Sequence, residues 1–299
     1  MSHSLFRILA FALIPLFSAS AAPLRVVAMH TVLAEFAQEM GGGEVELVCM
    51  VPAGSDPHVF NPAPSDVTML AKADLVLATG LGLEPYFDKL IAQSGTRAVV
   101  FRAGAYFNPA LGAPHRDVQT LPGEADPHWW HSPSLARKVA VALQAELTRL
   151  RPAASSAIDE RAARLLRRLD ALDAWARSEV SRIPSSRRLL ITSHEAFGYL
   201  ARDYGFQVHA LLGLNPDSEP DARSLSQLIT LIRREKIRVV FADNTENPKL
   251  FASMLRESGA RLGSTLYADG LGPQGSLADT YERMFRYNLS AILGGLSSD

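Results

Sequence analysis

Short β-branched runs recur along this chain at intervals long enough for a helix, and they fall into two blocks. In the first, Leu24–Ala28 (LRVVA), Val45–Val51 (VELVCMV), Asp74–Ala78 (DLVLA) and Arg97–Phe101 (RAVVF) read as strands. In the second, Arg188–Thr192, Phe206–Ala210, Ile237–Ala242 and Ala260–Thr265 repeat the rhythm, with helical spacing at Ala196–Asp203 and Leu225–Arg234 between them. Near-continuous apolar strands separated by helix-length segments call for parallel sheets covered on both faces. The pattern predicts an α/β fold of two parallel-sheet lobes with a similar plan. With 299 residues, 47% of them hydrophobic, the chain is long enough for two domains that each bury a core.

Between the blocks lies a helical stretch. Ser132 is a good N-cap and Pro133 a favoured first helical residue, so a helix should run from there to near Arg151-Pro152. A second should run from about Ala153 to Ile183 and stop before Pro184. Leu165, Leu166, Leu169, Leu172, Trp175 and Val180 give it an apolar stripe. A helix of about 30 residues spans roughly 45 Å, a long rigid connector rather than a Gly/Ser hinge. The expected division is residues 22–131 for the first lobe, 132–183 for the connector and 184–299 for the second lobe.

Residues 1–21 read as a signal peptide. Arg7 precedes the apolar run Ile8–Phe17, too short to cross a membrane stably, and Ala19-Ser20-Ala21 offers small residues for cleavage after Ala21. No cysteine lies near that site, so a lipid anchor is not expected, and no other segment approaches 18 apolar residues. Cys49 is the single cysteine, which excludes an intramolecular disulfide, a Cys-rich zinc module and an iron–sulfur cluster. Export with one thiol fits an oxidising compartment, and the periplasm is the expected address. Lys+Arg (30) and Asp+Glu (31) nearly cancel, so no nucleic-acid partner is implied.

Four segments stand out beyond the predicted strands: GSDPHVFNPAPSD (Gly54–Asp66), ADPHWWHSP (Ala125–Pro133), TSHEAFGYLARDYG (Thr192–Gly205) and YADGLGP (Tyr267–Pro273). Each holds one side chain able to bind a metal through nitrogen or oxygen: His58, His128, His194 and Asp269. A structural zinc site usually gathers closely spaced ligands, because closing small loops costs little entropy. These four are far apart in the chain, two in each lobe. Ligands at the carboxyl ends of strands meet in the crevice beyond those ends, here the cleft between the lobes.

In their order, G-S-D-P-H…N-P-x-P-S-D, D-P-H-x-W, S-H-x-A-F-x-Y-x-x-x-x-Y-G and A-D-x-L-G-P resemble the motifs of the periplasmic metal-binding proteins of zinc/manganese ABC importers, the cluster A-I solute-binding proteins. The resemblance runs over nearly the whole chain after the leader. It implies two α/β lobes joined by one long helix, a transition metal in the cleft, and an inner-membrane ABC permease as partner. Carried over position by position, the family's ligands fall on His58, His128, His194 and Asp269.

The remaining candidates read differently. Asp56 and Asp126 in the Asp-Pro-His triplets suit turns or contacts behind the histidines. Ser65 and Asp66 suit a helix cap. His131 stands where the family usually has an apolar residue, and His30 follows the first strand much as His194 follows its counterpart; neither is expected to bind metal. His115 and His209 read as surface and strand residues. Trp129, Trp130, Phe60 and Phe197 read as packing that would also dry the cleft.

Three imidazoles and one carboxylate suit Zn2+, while manganese prefers more oxygen. In the family an acidic residue in place of the third histidine goes with manganese, and this chain has His194. The family's long His-rich loop is missing: Phe107–Ala125 is short and holds only His115. That leaves manganese or iron as alternative cargo and a periplasmic metallochaperone as an additional partner. Affinity is expected to fall as the pH drops below about 6.5, where free imidazole takes up a proton. The chain is expected to act as a monomer and not as an enzyme. The competing reading, an exported zinc-dependent hydrolase with Glu195 or Asp243 as base, lacks an H-E-x-x-H helix and, with four protein ligands, an open coordination position.

Overall fold

The computed structural model describes residues 22–107, 125–214, 222–244 and 248–297. The expected leader and most of the Phe107–Ala125 loop, His115 included, lie outside the described residues. The first lobe comprises β1 (Leu24–Ala28), α1 (Thr31–Gly41), β2 (Val45–Cys49), α2 (Pro64–Ala71), β3 (Leu75–Ala78), α3 (Phe87–Ser94) and β4 (Val99–Arg102). Its four strands are parallel in the order β2-β1-β3-β4. The inner strand β3 is buried along its whole length, whereas edge strand β2 alternates between covered or partly covered and exposed residues, as its position demands.

Two helices follow, α4 (Pro133–Leu150) and α5 (Ser155–Ser181). Ser132 caps α4 by accepting from Leu135 N at 3.1 Å, with Pro133 in the first turn. The helix stops where Pro152 forces Arg151 out of the helical region (φ −129°, ψ 62°). A 3-10 turn, Pro152–Ala154, delays α5 to Ser155, slightly later than its sequence pattern suggests. On α5 the residues Ile158, Ala162, Leu165, Leu169, Leu172, Ala176 and Val180 are buried, while Leu166 and Trp175 are partly covered.

The second lobe holds β5 (Leu189–Thr192), α6 (Gly198–Tyr204), β6 (Gln207–Ala210), α7 (Ala222–Arg234), β7 (Val239–Val240), α8 (Pro248–Ser258), β8 (Arg261–Leu262) and α9 (Tyr281–Ser297). Strands β5 and β6 pair in parallel, as do β7 and β8. Phe241 N donating to Ile191 O at 2.9 Å joins the two pairs. Strands β7 and β8 are shorter than the apolar runs that contain them. Val240 pairs with Leu262 but Asp243 with Leu266, so the register slips by one residue and the ladder is interrupted. Gly263 lies at the slip, where a Cβ would stand 2.6 Å from the Phe241 ring.

The hydrophobic interior departs from the expectation of one core per lobe. Successive strand residues face opposite sides of a sheet. Val26, Ala28, Leu75 and Leu77 on one side of the first sheet join Leu190 and Val239 of the second lobe in a single large core. Helices α1, α4, α5 and α9 fill the space between, so the inner faces of both sheets share their apolar burial. The outer faces keep separate cores, Val27, Val76 and Ala78 in the first lobe and Ile191 and Val240 in the second.

Helix α5 ties the halves together along its length. Arg161 donates to Met40 O (2.7 Å) and Gly41 O (2.8 Å), which closes the end of α1. Nearer its other end, Asp173 accepts from Tyr204 Oη at 2.8 Å and Arg177 donates to Asp203 O at 3.1 Å, both partners in α6. Among the described residues no helix is long and apolar enough to cross a membrane.

Candidate metal centre

Two of the four residues singled out by the sequence are delivered by the same local device. In each Asp-Pro-His triplet the aspartate turns back on the histidine: Asp56 Oδ1 accepts from His58 N at 2.7 Å and Asp126 Oδ1 from His128 N at 2.9 Å. Proline between them fixes φ and has no N–H to compete. His58 lies on the loop between β2 and α2. His128 opens the 3-10 turn Trp129–His131 that feeds α4, well past the end of β4 rather than directly after a strand. His194 follows β5 by two residues, and Asp269 lies beyond the Asp243–Leu266 bridge that continues β7 and β8.

The fold brings all four together between the lobes. One metal-binding atom from each of His58, His128, His194 and Asp269 lies within 4.8 Å of every other, and all four residues are buried. Asp269 Oδ1 stands 3.2 Å from His194 Nε2, 3.5 Å from His128 Nε2 and 3.8 Å from His58 Nε2. Zinc bonds of about 2.0–2.1 Å place tetrahedral donors about 3.3 Å apart, so the Asp269 separations lie near that spacing, while the set as a whole, held within 4.8 Å, would draw in to hold such an ion. The Nε2 atoms of His58 and His128 have no hydrogen-bond partner although they are buried, a costly arrangement unless something else meets them.

Behind the cluster, two histidines are backed by carboxylates. His128 Nδ1 lies 2.9 Å from Asp126 Oδ1, and His194 Nδ1 lies 2.5 Å from Asp243 Oδ2. Ser193 Oγ donates to the same Asp243 oxygen and accepts from Asp243 N at 3.1 Å, which locks that aspartate in place. A partner on Nδ1 fixes the ring's orientation and directs Nε2 to the centre. Asp126 thus occupies a place the sequence offered it. Asp243, considered there only as a hydrolytic base, is instead committed to His194.

Electrostatics follow from this geometry. Burial pushes the His58 imidazole down to about 3, more than nearby Asp269 raises it. His194 is buried too, but Asp269 and Asp243 outweigh that and hold its pKa well above the usual 6.5. His128 is raised in the same way, burial being overcome by its hydrogen bond to Asp126 and by the nearby Asp269 carboxylate. Asp269 is held well below the ordinary carboxylate range, since the histidines around it overcome the effect of burial.

The weaker candidates lie nearby but outside the cluster. His30 is buried, with Nδ1 accepting from Val32 N at 3.3 Å as the cap of α1 and its ring 4.1 Å from that of Trp130. His131 turns Nε2 to Ala268 O at 2.8 Å. Asp66 accepts from Ala63 N at 2.7 Å at the start of α2, whereas Ser65 lies inside the first turn because Pro64 begins the helix. Trp129, Trp130 and Phe197 are wholly buried around the centre, and Phe60 is partly covered. His209 lies on β6. Asp243's contact with His194 was not foreseen because the two lie 49 residues apart, in the segments beyond β7 and β5; its one sequence signal is its place beyond the apolar run Ile237–Ala242.

Known proteins resemble this chain over most of its length. The family model described as zinc-uptake complex component A, periplasmic, matches residues 26–295. The manganese-binding lipoprotein MntA of Bacillus subtilis (strain 168) is 30% identical over 278 residues, covering 91% of this chain and 90% of that protein. The iron-binding protein YfeA of Yersinia pestis is 30% identical over 279 residues, covering 93% and 88%. The solved structure of the periplasmic zinc-binding protein TroA from Treponema pallidum superposes with a TM-score of 0.83 at 27% identity, covering 92% of this chain and 99% of that one.

Proposed function

The chain belongs to the family of zinc-uptake complex component A, metal-binding proteins that serve ABC importers and are not enzymes, and on that footing we propose that it captures Zn2+ in the periplasm and delivers it to an inner-membrane ABC permease. The observation that carries this reading is a single buried carboxylate oxygen of Asp269 facing three imidazole Nε2 atoms, from His58, His128 and His194. Imidazole is a borderline ligand that suits zinc, and three imidazoles with one carboxylate complete a tetrahedron without water. A closed set of protein donors leaves no position for a reacting water, which is right for carriage and wrong for hydrolysis.

Removal of the leader after Ala21 would release the protein as a soluble carrier. All four donors come from one chain, so the site is complete in a monomer. Manganese or iron is the second reading for the cargo, favoured by relatives named for those metals at 30% identity. Direct calorimetry with Zn2+, Mn2+ and Fe2+ on metal-free protein decides between them. The expected result is one tight Zn2+ per chain, lost by orders of magnitude in His194→Ala. Unchanged Zn2+ binding by that variant would refute the site, and tighter binding of Mn2+ or Fe2+ would reassign the cargo.

A further inference from the structure

Two aromatic N–H groups end on one backbone oxygen next to the centre. Trp130 Nε1 donates to Ala268 O at 2.7 Å, and His131 Nε2 donates to the same oxygen at 2.8 Å. Both side chains are wholly buried. A carbonyl oxygen has two lone pairs, and here both are taken. Because His131 Nε2 faces an acceptor, it carries the ring proton; Nδ1 has no hydrogen-bond partner, so the ring's polar role rests on this bond. The ring is held against Phe197, with centroids 4.3 Å apart.

The peptide joining Ala268 to Asp269 is planar, so fixing the Ala268 oxygen also fixes the Asp269 Cα. The neighbouring backbone is fastened on both sides. Asn288 accepts from Tyr267 N and donates to Tyr267 O (2.9 and 2.8 Å), Thr31 Oγ1 accepts from Leu271 N at 2.8 Å, and Gly54 N donates to Leu271 O at 2.9 Å. Tyr281 Oη, from the start of α9, donates to Trp130 O at 2.9 Å and so steadies the clamp itself.

We infer that Trp130 and His131 are positioning residues for metal capture: their paired N–H groups hold the Ala268 carbonyl and thereby set where the Asp269 carboxylate stands relative to the three imidazoles. The segment that supplies His128 from the first lobe thus also aims the donor supplied by the second. The inference rests on metal capture at the four-residue centre.

Its test uses the full mature protein with Zn2+ and, as a spectroscopic probe, Co2+. Loss of a group that orients a ligand typically weakens metal binding by about 10- to 100-fold. His131→Phe keeps a ring in the core but loses the N–H. It is expected to weaken Zn2+ binding by about tenfold or more and to shift the visible absorption bands of the Co2+ form. His131→Gln, which places an amide N–H near the position of Nε2, should restore both. Trp130→Phe tests the other donor with the same readouts and serves if His131→Phe does not fold. Wild-type Zn2+ affinity and an unshifted Co2+ spectrum in a folded His131→Phe or Trp130→Phe would overturn the inference, as would failure of His131→Gln to restore them. A wild-type protein that bound neither ion would instead overturn the reading of function beneath it.

Discussion

His194 stands between two carboxylates, Asp243 at Nδ1 and Asp269 at Nε2 (2.5 and 3.2 Å). In the metal-free protein those charges favour its protonated form, whereas His58, pushed down to about 3 by burial, is neutral and ready to coordinate. Zinc must displace the His194 proton, so binding strengthens as pH rises and proton is released. Because the pKa of His194 is raised, that rise should continue past about 6.5, where an ordinary imidazole has lost its proton. The structure thus moves the pH window above the one an isolated histidine would give. Competition against a chelator from about pH 6 to 9 checks it; a plateau beginning near 6.5 would contradict the charged pair. A second prediction concerns Asp243→Ala, which should weaken Zn2+ binding by about 10- to 100-fold without removing any of the four donors. Of this centre, His58, His128, His194 and Asp269 were legible because each sits in a motif of side chains. The Asp243 contact joins segments that follow two different strands, and the Ala268 oxygen is backbone, so neither contact is written in a local motif.

Among the elements, α1 and α9 meet through one half-buried acid. Glu35 on α1 accepts from Tyr281 N, the first residue of α9, at 2.6 Å, and burial raises its carboxyl to about 7 despite that bond. In the unfolded chain the group titrates near 4.5. The folded state therefore holds the proton more tightly, and this contribution to stability is fully present below about 4.5 and lost as the pH rises through about 7. Glu35→Gln keeps an acceptor for Tyr281 N and removes the titration. It should stabilise the metal-free protein at pH 8 by at most roughly 3 kcal/mol relative to wild type, with little gain near pH 4.5. Urea unfolding at the two pH values measures this, and equal differences at both would refute it. The elements were largely visible beforehand. Strand β1 occupies the run expected for it, and α4 starts at its Ser-Pro signal. Strands β7 and β8 are shorter because the one-residue slip beside Asp243 depends on Gly263 meeting Phe241 across the ladder, a tertiary contact that apolar periodicity does not record.

At the scale of the molecule, the shared core between the sheets couples the lobes. Val26, Phe36, Leu169, Leu190 and Leu289 belong to one continuous apolar cluster, so neither half can open fully without exposing the other. Calorimetry of the metal-free protein should show one unfolding transition, and two well-separated peaks would contradict the common interior. Zinc should raise that transition, by about 4 kcal/mol at a free concentration a thousand times the dissociation constant. The division of the interior into one common and two outer cores was not legible, because alternation along a strand shows that both faces are covered but not by what. The wide separation of the four donors along the chain has a further effect. An extended polypeptide holds no preassembled chelate, since His58 and Asp269 meet only after both sheets, α5 and the loops have taken their places. High-affinity metal binding should therefore depend on the finished fold: an unfolded or misassembled chain is expected to hold an ion only weakly.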